Sequence, residues 1–284
     1  MHGPVGFHFL NQAGELSGPE IWNDPARDKL WLYNLHYFDD LNAADAPGRA
    51  ACHRVLIQRW IAENSPTAGN GWEPYPLTFR IVNWIKWALQ GNEMEPAWLN
   101  SLAMQVRFLR KRLEYHLLGN HLFANAKALV FAGLYFSGDE ADRWLTKGLS
   151  ILKKEIPVQI LDDGGHFELS PMYHSIILED LLDLINLGQV YGRLKSLSQQ
   201  VDIWKETVQR MRTWLKVMCH PDGEISFFND TTFGVAPTPN QLDAYVNRLG
   251  LEEIKEPEKI INHLSDSGYI RLAKEQVVML LDVG

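Results

Sequence analysis

The sequence has little cysteine. Cys52 and Cys219 are its only two, too few for a disulfide framework or a cysteine-built zinc cluster. It has no apolar run of about 18 residues or more, so no segment reads as a membrane-spanning helix. Basic residues are outnumbered. The 27 Lys and Arg against 35 Asp and Glu leave a formal net charge of −8, which argues against a general nucleic-acid binder. The opening residues, Met1 to His8, hold neither a basic stretch nor a long apolar one. No export signal is therefore visible, and the protein either stays in the cytoplasm or is a mature or trimmed form. Low-complexity tracts and clear short repeats are lacking as well.

What is present is apolar and aromatic. Hydrophobic residues make up 46% of the 284, enough for one large core or two moderate ones. Ten Trp, nine Tyr and twelve Phe accompany the acidic balance. That combination suits a groove in which rings meet the flat faces of sugars, although any single Trp is more often core.

Residues 1–48 read as an irregular aromatic wrap interrupted by Pro, Gly and Asn. From residue 49 the apolar period becomes 3.6. Helices are expected over Arg49–Asn64, from Pro76 through Ala88, Pro96–Leu118, Asn120–Phe136 and Glu140–Ile156. Others are expected from Ser170 (N-cap) and Pro171 (first turn), over Gln200–Cys219, and over Pro239–Leu249. Short connections between them imply antiparallel pairs. At the end, Tyr269–Leu272 and Val277–Val283 are β-rich runs separated by Lys274, Glu275 and Gln276, and read as a hairpin. A lone hairpin is marginal in water, so a sheet is expected to begin here and to be cut short.

Four segments carry possible chemistry. In Gly119–Asn125, Asn120 is placed to cap a helix. His121, Asn125, Ala128 and Ala132 then form a stripe that opens toward a cleft at its start. In Asp162–His174, a Gly164-Gly165 loop with acids, His166, Glu168, Tyr173 and His174 leads into a helix start. In Gly71–Arg80, two prolines stiffen a loop that presents Trp72 and Tyr75, with Arg80 one turn on. Stacking plus a guanidinium would suit an acidic sugar. In Asp222–Asp230, a turn precedes Asn229 and Asp230 at an expected strand end. Arg107, Arg110, Lys111 and Arg112 spread over more than one helix face and read as solvated surface.

Four stretches in order, Leu30–Leu41, Trp72–Trp87, Asn120–Phe136 and Asp163–His174, resemble the heparinase II/III family of polysaccharide lyases. The resemblance runs over essentially the whole chain. It implies an α/α toroid followed by an antiparallel β-sandwich. The expected fold class is thus mainly α: an incomplete α/α toroid of antiparallel helix pairs, with a short C-terminal β-hairpin belonging to a truncated β-sandwich domain. The wrap would occupy 1–48, the catalytic toroid 49–250 and the first sandwich strands 262–284.

The reaction the resemblance implies is β-elimination on a uronic-acid polysaccharide. The C5 proton is weakly acidic because the neighbouring carboxylate is already negative. That carboxylate must be neutralised before the enolate-like intermediate becomes tolerable. A base then takes the C5 proton and an acid protonates the departing O4. Asn120 matches the family's neutralising residue, with His121 beside it. Tyr173, 53 residues on, matches the Tyr that is acid, base or both. A free Tyr titrates near 10, so as a base it needs help, for which His121, His174 or Arg80 are the options. The family's β-domain His has no counterpart, so this chain alone is expected to hold an incomplete site.

Trp72, Tyr75, Arg80, Asn125, Glu168, His174 and Asp230 are the expected substrate-binding residues. No metal or other cofactor is required by the chemistry, and a structural metal in the β domain stays compatible with it. The expected partner is an acidic polysaccharide, either a glycosaminoglycan or a less charged exopolysaccharide or alginate-like uronan. Neither nucleic acid nor a membrane span is expected, and the sequence leaves the oligomeric state open. Family members that degrade polymers are commonly exported, which implies a periplasmic or secreted full-length protein, with cytoplasmic residence the alternative. Other readings are a uronate C5-epimerase of the same fold, a glycoside hydrolase using Glu168, Asp163 and Asp230, and a non-catalytic carbohydrate-binding or assembly protein of surface-polysaccharide production.

Overall fold

The computed structural model describes residues 1–117, 119–195, 197–254, 260–275 and 277–284, with 192–195 by backbone only. Leu118, the expected end of one helix, and Gln276, in the expected hairpin turn, lie outside the described residues. Nine α-helices and two small antiparallel sheets are present among them. The chain forms two compact units, Met1–Leu149 and Ser150–Gly284. No helix among the described residues is long and apolar enough to cross a membrane.

The first unit contains β1 (Gly6–Phe9), β2 (Gln12–Glu15), α1 (Lys29–Tyr37), α2 (Ala50–Glu63), α3 (Pro74–Leu89), α4 (Pro96–Lys111) and α5 (Asn120–Tyr135). Strands β1 and β2 pair with Phe7 opposite Gly14. The segment expected to be an irregular wrap therefore holds a hairpin and a helix. The helix is nucleated by Asp28, whose Oδ1 accepts the N–H groups of Leu30 (2.8 Å) and Trp31 (3.3 Å). Pro74 and Pro96 open α3 and α4 in their first turns, where a missing N–H goes unfelt. The start of α3 lies two residues before the expected Pro76.

Helix α5 is buried from Leu122 through Leu134, Asn125 and Lys127 included, the mark of a central helix. Its approach to α6 (Asp139–Gln159) depends on two glycines. A Cβ on Gly133 would lie 2.6 Å from Leu145 N, and one on Gly148 would lie 2.7 Å from Ala126 O.

The second unit contains α7 (Pro171–Lys195), α8 (Ser198–Val217), α9 (Pro239–Arg248) and a sheet of β3 (Ile261–Leu264), β4 (Tyr269–Lys274) and β5 (Val277–Asp282) in the order β3-β4-β5. The expected hairpin is β4-β5, and β3 adds a strand that the pattern did not reveal. Pro171 and Pro239 again sit in first turns, and Thr238 with Gln241 forms a reciprocal capping box. The sheet is fastened by a core of Trp214, Val217, Met218, Leu264 and Tyr269. The unit boundary falls inside α6.

All ten tryptophans are buried, none more than 3% exposed. The tryptophans that contributed to the expectation of sugar-facing rings are therefore core.

Candidate functional site

In the first unit, Gly119 precedes α5 at φ 92, a backbone state that favours glycine. Gly119, not Asn120, is the N-cap, and no side chain caps the helix. Asn120 is the first helical residue, and its Nδ2 donates to the Tyr75 hydroxyl at 3.2 Å. The next residue, His121, lies flat against the Tyr75 ring, 4.1 Å between centroids. Its Nδ1 is 3.2 Å from Glu114 Oε1. Tyr75 in turn packs edge-on to Phe79 and Tyr37. Tyr75 and His121 are half-buried, while Asn120 and Glu114 are each 6% exposed.

Glu114 is held from behind. Its N–H donates to Asn125 Oδ1 (3.0 Å), and its Oε2 accepts from Asn125 Nδ2 (3.1 Å). The same Nδ2 also reaches Thr78 Oγ1 at 3.0 Å. Nearby, the Tyr33 hydroxyl donates to Glu73, whose carboxylate also pairs with Lys29 at 2.9 Å. Burial, with Glu73 and Glu114 adding to it, pushes the Tyr33 phenol well above its usual pKa. Glu114, Thr78, Tyr33 and Glu73 were not among the expected site residues. Glu114 falls inside the helix expected to run to Leu118, but α4 ends at Lys111, so Glu114 lies in the connection that follows.

Three expected site residues of this unit are corrected. Arg80 is fully buried. It donates to Gly71 O (2.6 Å), Gln105 Oε1 (2.9 Å) and His36 O (3.2 Å), with its guanidinium 3.7 Å above Trp60. It ties elements together instead of facing a sugar carboxylate. Trp72 is buried between Trp60 and Phe108, because the stiff loop turns the ring inward. Asn125 is fully buried, as are Ala128 and Ala132, so their stripe lines no cleft. Arg107 pairs with Glu140 at 2.6 Å, and Arg110, Lys111 and Arg112 are exposed, as expected of a solvated face.

In the second unit, Tyr173 sits in the first turn of α7, half-buried. Burial first, then the charges of Glu168 and Asp230, raise its pKa. Its helix start is pinned by unusual backbone. Leu169 has φ 56 and Asn229 φ 50, left-handed states that a non-glycine residue adopts at a cost of about 1–2 kcal/mol. Leu169 O accepts from Asn229 Nδ2 and from the Tyr269 hydroxyl, both at 2.9 Å. Ser170 Oγ is 2.9 Å from Thr231 Oγ1 and accepts weakly from Tyr173 N at 3.4 Å, the expected cap. Asn229 and Asp230 therefore belong to a pinned loop, not to a strand end. Asn229 is among the expected candidates, but Tyr269 and Thr231 carry no sequence signal, because the residues they bond, Leu169 and Ser170, are 100 and 61 positions away.

The Gly164-Gly165 loop has a packing explanation. Gly164 has φ 94, and a Cβ there would be 2.3 Å from Arg210 O. One on Gly165 would be 2.6 Å from Trp214 Nε1. Asp163 Oδ2 accepts from Ser267 N, Ser267 Oγ (both 2.8 Å) and Asp266 N (3.1 Å), so it clamps the β3-β4 turn.

His174 is a further correction. It is fully buried and stacked 4.4 Å from Trp214. Its Nε2 donates to Met211 O (3.0 Å), while Nδ1 accepts from His166 N (3.3 Å). Burial, reinforced by His166, lowers its pKa to about 3. A neutral, fully bonded imidazole neither binds a sugar nor supplies Tyr173 with a cation. Among the described residues, no group of three or more His, Cys, Asp or Glu side chains is arranged to hold a metal.

Residues 74–248 match the family described as Heparinase II/III N-terminus. The chain is 31% identical over 249 residues to a heparin-sulfate lyase of Pedobacter heparinus, covering 80% of this chain and 36% of that protein. A heparin-sulfate lyase of Bacteroides stercoris is 27% identical over 155 residues, 54% of this chain and 22% of that one. The chain thus spans between about a fifth and a third of the length of these relatives. Among solved structures, heparinase III matches with a TM-score of 0.68 at 22% identity over 87% of this chain and 44% of that one. A mutant of the heparan sulfate lyase HepC from Pedobacter heparinus matches with a TM-score of 0.63 at 22% identity, over 98% of this chain and 49% of that one. The solved heparinases are helical toroid proteins, and the likeness shows that fold class for this mainly helical chain. With the matched region covering both Asn120 and Tyr173, the chain belongs to the heparinase II/III family.

Proposed function

We propose that this chain is part of a polysaccharide lyase that cleaves a uronic-acid-containing glycosaminoglycan by β-elimination. The support is the family membership, the relatives named as heparin-sulfate lyases, and the ordered Asn120–Tyr75–His121–Glu114 cluster at the start of α5. That cluster is the observation that carries the reading. A buried amide held by a tyrosine hydroxyl is a neutral donor fixed in place before substrate arrives. A uronate carboxylate needs such a donor if its C5 proton is to leave.

Tyr173 is the proton carrier in this reading. Its raised pKa, set by burial, Glu168 and Asp230, keeps the phenol protonated. That suits the acid that delivers a proton to O4, while a separate base takes the C5 proton, a role for which His121, beside Asn120, is the candidate. Arg80 and His174, two of the groups expected to assist Tyr173 as a base, are buried and engaged in other contacts.

The test is incubation with a panel of uronic-acid polymers, heparan-sulfate-type glycan included, followed by ultraviolet absorbance and NMR of the products. A lyase yields chains ending in an unsaturated uronate. An epimerase yields solvent deuterium at C5 without cleavage, and a glycoside hydrolase yields saturated ends; either result would displace the proposal. Binding of oligosaccharide without any product would favour a non-catalytic carbohydrate-binding protein.

A further inference from the structure

The tryptophans are core, yet two phenylalanine rings stand in the open. Among the described residues, the exposed aromatic side chains are Tyr115, Phe227 and Phe233. Phe227 is 60% and Phe233 52% exposed, and they pack edge to face, 4.5 Å between centroids at 83°. Both sit on the connection between α8 and α9, three residues to either side of Asp230. The residues between them fasten that connection. Phe228 turns in against Tyr269 at 4.8 Å, Asn229 donates to Leu169 O at 2.9 Å, and buried Thr231 meets Ser170 Oγ at 2.9 Å. Leu169 and Ser170 lead directly into α7 and set Tyr173 in its first turn. Phe227, Asp230 and Phe233 are exposed on the same stretch. A ring, a carboxylate and a second ring thus stand on a loop tied to the start of the helix that carries Tyr173.

We propose that Phe227 and Phe233 form a carbohydrate-stacking subsite beside Tyr173, which holds an uncharged pyranose ring of the glycan with Asp230 as acceptor for its hydroxyl groups. This rests on the lyase reading above. Leaving two phenylalanines in water forgoes the gain from burying them. An aromatic face is electron-rich, and the C–H face of a pyranose is the part of a sugar that covers it. The charge of the loop selects which sugar. Over residues 218–238 the charged residues are Asp222, Glu224 and Asp230, with no Lys or Arg. A uronate or a sulfate would meet like charge from this loop, whereas a hydroxyl donates to a carboxylate. The ring taken here is therefore a neutral neighbour of the uronate. A glycan that alternates uronate with a neutral sugar supplies such a ring; a homopolymer of uronate does not.

The test uses the whole chain and a heparan-sulfate-type oligosaccharide as probe. NMR of ring-labelled phenylalanine follows the titration in a Tyr173→Phe background, which keeps the probe intact, and the Ala variants assign the two rings. The Phe227 and Phe233 signals should shift on binding. Phe227→Ala and Phe233→Ala should each raise Kd roughly three- to tenfold. Phe227→Leu is apolar but has no flat face and should lose as much as Phe227→Ala, while Phe227→Tyr should keep the affinity. A merely structural role would give comparable results for Leu and Tyr and would lower Tm. On the alternating glycan that the wild type cleaves, KM should rise by the same factor and kcat should change less. On a homopolymer of uronate the Phe variants should match the wild type.

Rings that stay unmoved, or an unchanged Kd in folded Phe227→Ala and Phe233→Ala, would overturn the proposal. So would a wild-type dimer in sedimentation that Phe227→Ala dissolves, because a second copy then covers the rings. Cleavage with unmoved rings removes the subsite and keeps the lyase reading. Binding that moves the rings without any cleavage keeps the subsite and removes the lyase reading.

Discussion

Replacing Arg80 separates a scaffold role from a substrate role. In Arg80→Met the apolar stem keeps its packing, but three acceptors lose their donor: Gly71 O, His36 O and Gln105 Oε1. All three donors sit on a side chain with no solvent exposure. An orphaned buried acceptor costs about 1–3 kcal/mol, so the three sum to several kcal/mol. Relief of the guanidinium's own desolvation offsets part of this. Breaking a buried charged network typically nets about 3–5 kcal/mol. The loss of the stack on Trp60 at 3.7 Å adds about 1–2 kcal/mol. An expected destabilisation of about 4 kcal/mol corresponds to a fall in Tm of roughly 8–16 °C for a chain of this size. Arg80→Lys should recover little, because an ammonium lacks the planar fork that reaches several acceptors at once. Urea titration followed by tryptophan fluorescence measures this directly, since Trp60, Trp72 and Trp84 surround the site. If Arg80→Met unfolds within about 1 kcal/mol of the wild type yet binds uronan oligosaccharides much more weakly, the scaffold assignment is wrong and Arg80 faces the sugar.

Three further outcomes are expected. His36, His166 and His174 are each held near pKa 3, chiefly by burial. The unfolded chain, with imidazoles near 6.5, takes up those protons first as pH falls. Stability should therefore drop from about pH 6.5 downward, by up to ~1.4 kcal/mol per pH unit for each histidine; a flat urea midpoint between about pH 7 and pH 5 would contradict this. Gly164→Ala should cost about 2–4 kcal/mol, since the new Cβ meets Arg210 O at 2.3 Å with φ at 94. Gly223→Ala, at φ 86 in open space, should cost only about 1 kcal/mol, and equal losses at both would show that contact with α8 is immaterial. Asp163→Ala strips the acceptor from Asp266 N, Ser267 N and Gly165 N. Amide hydrogen exchange at residues 264–268 should then accelerate, and unchanged protection would exclude the clamp.

Most helices were legible because local chemistry marks their starts. Pro96, Pro171 and Pro239 stand in first turns, and apolar residues then recur every three or four positions. Helix α1 is not marked by the sequence pattern, although Asp28 caps it. Its aromatic sequence, Trp31 to Phe38, resembles a strand or a wrap as readily as a helix. The roles of individual polar residues were much less legible. Arg80 next to Trp72 and Tyr75 fits sugar recognition by composition, but its fate is decided by backbone carbonyls of His36 and Gly71. His174 follows Tyr173 in sequence, yet the helical turn rotates it away into Trp214. Gly164-Gly165 looked like a ligand loop, whereas its glycines are required by contact with α8. Glu114 carried no local signal at all, since its meaning comes from Asn125 and His121 together. Residue type indicated the chemistry on offer, and long-range packing determined which side chains were free to perform it.

The central claim is that Asn120 and Tyr173 carry an elimination. The most direct measurement is the rate at which unsaturated uronate forms from a cleavable uronan in wild type, Asn120→Ala and Tyr173→Phe, each shown to be folded by its thermal unfolding. The account predicts a loss of roughly 10²–10⁴-fold for Tyr173→Phe and roughly 10²–10³-fold for Asn120→Ala, with Tm unchanged within a few degrees. Near wild-type elimination by a folded Tyr173→Phe protein would contradict it.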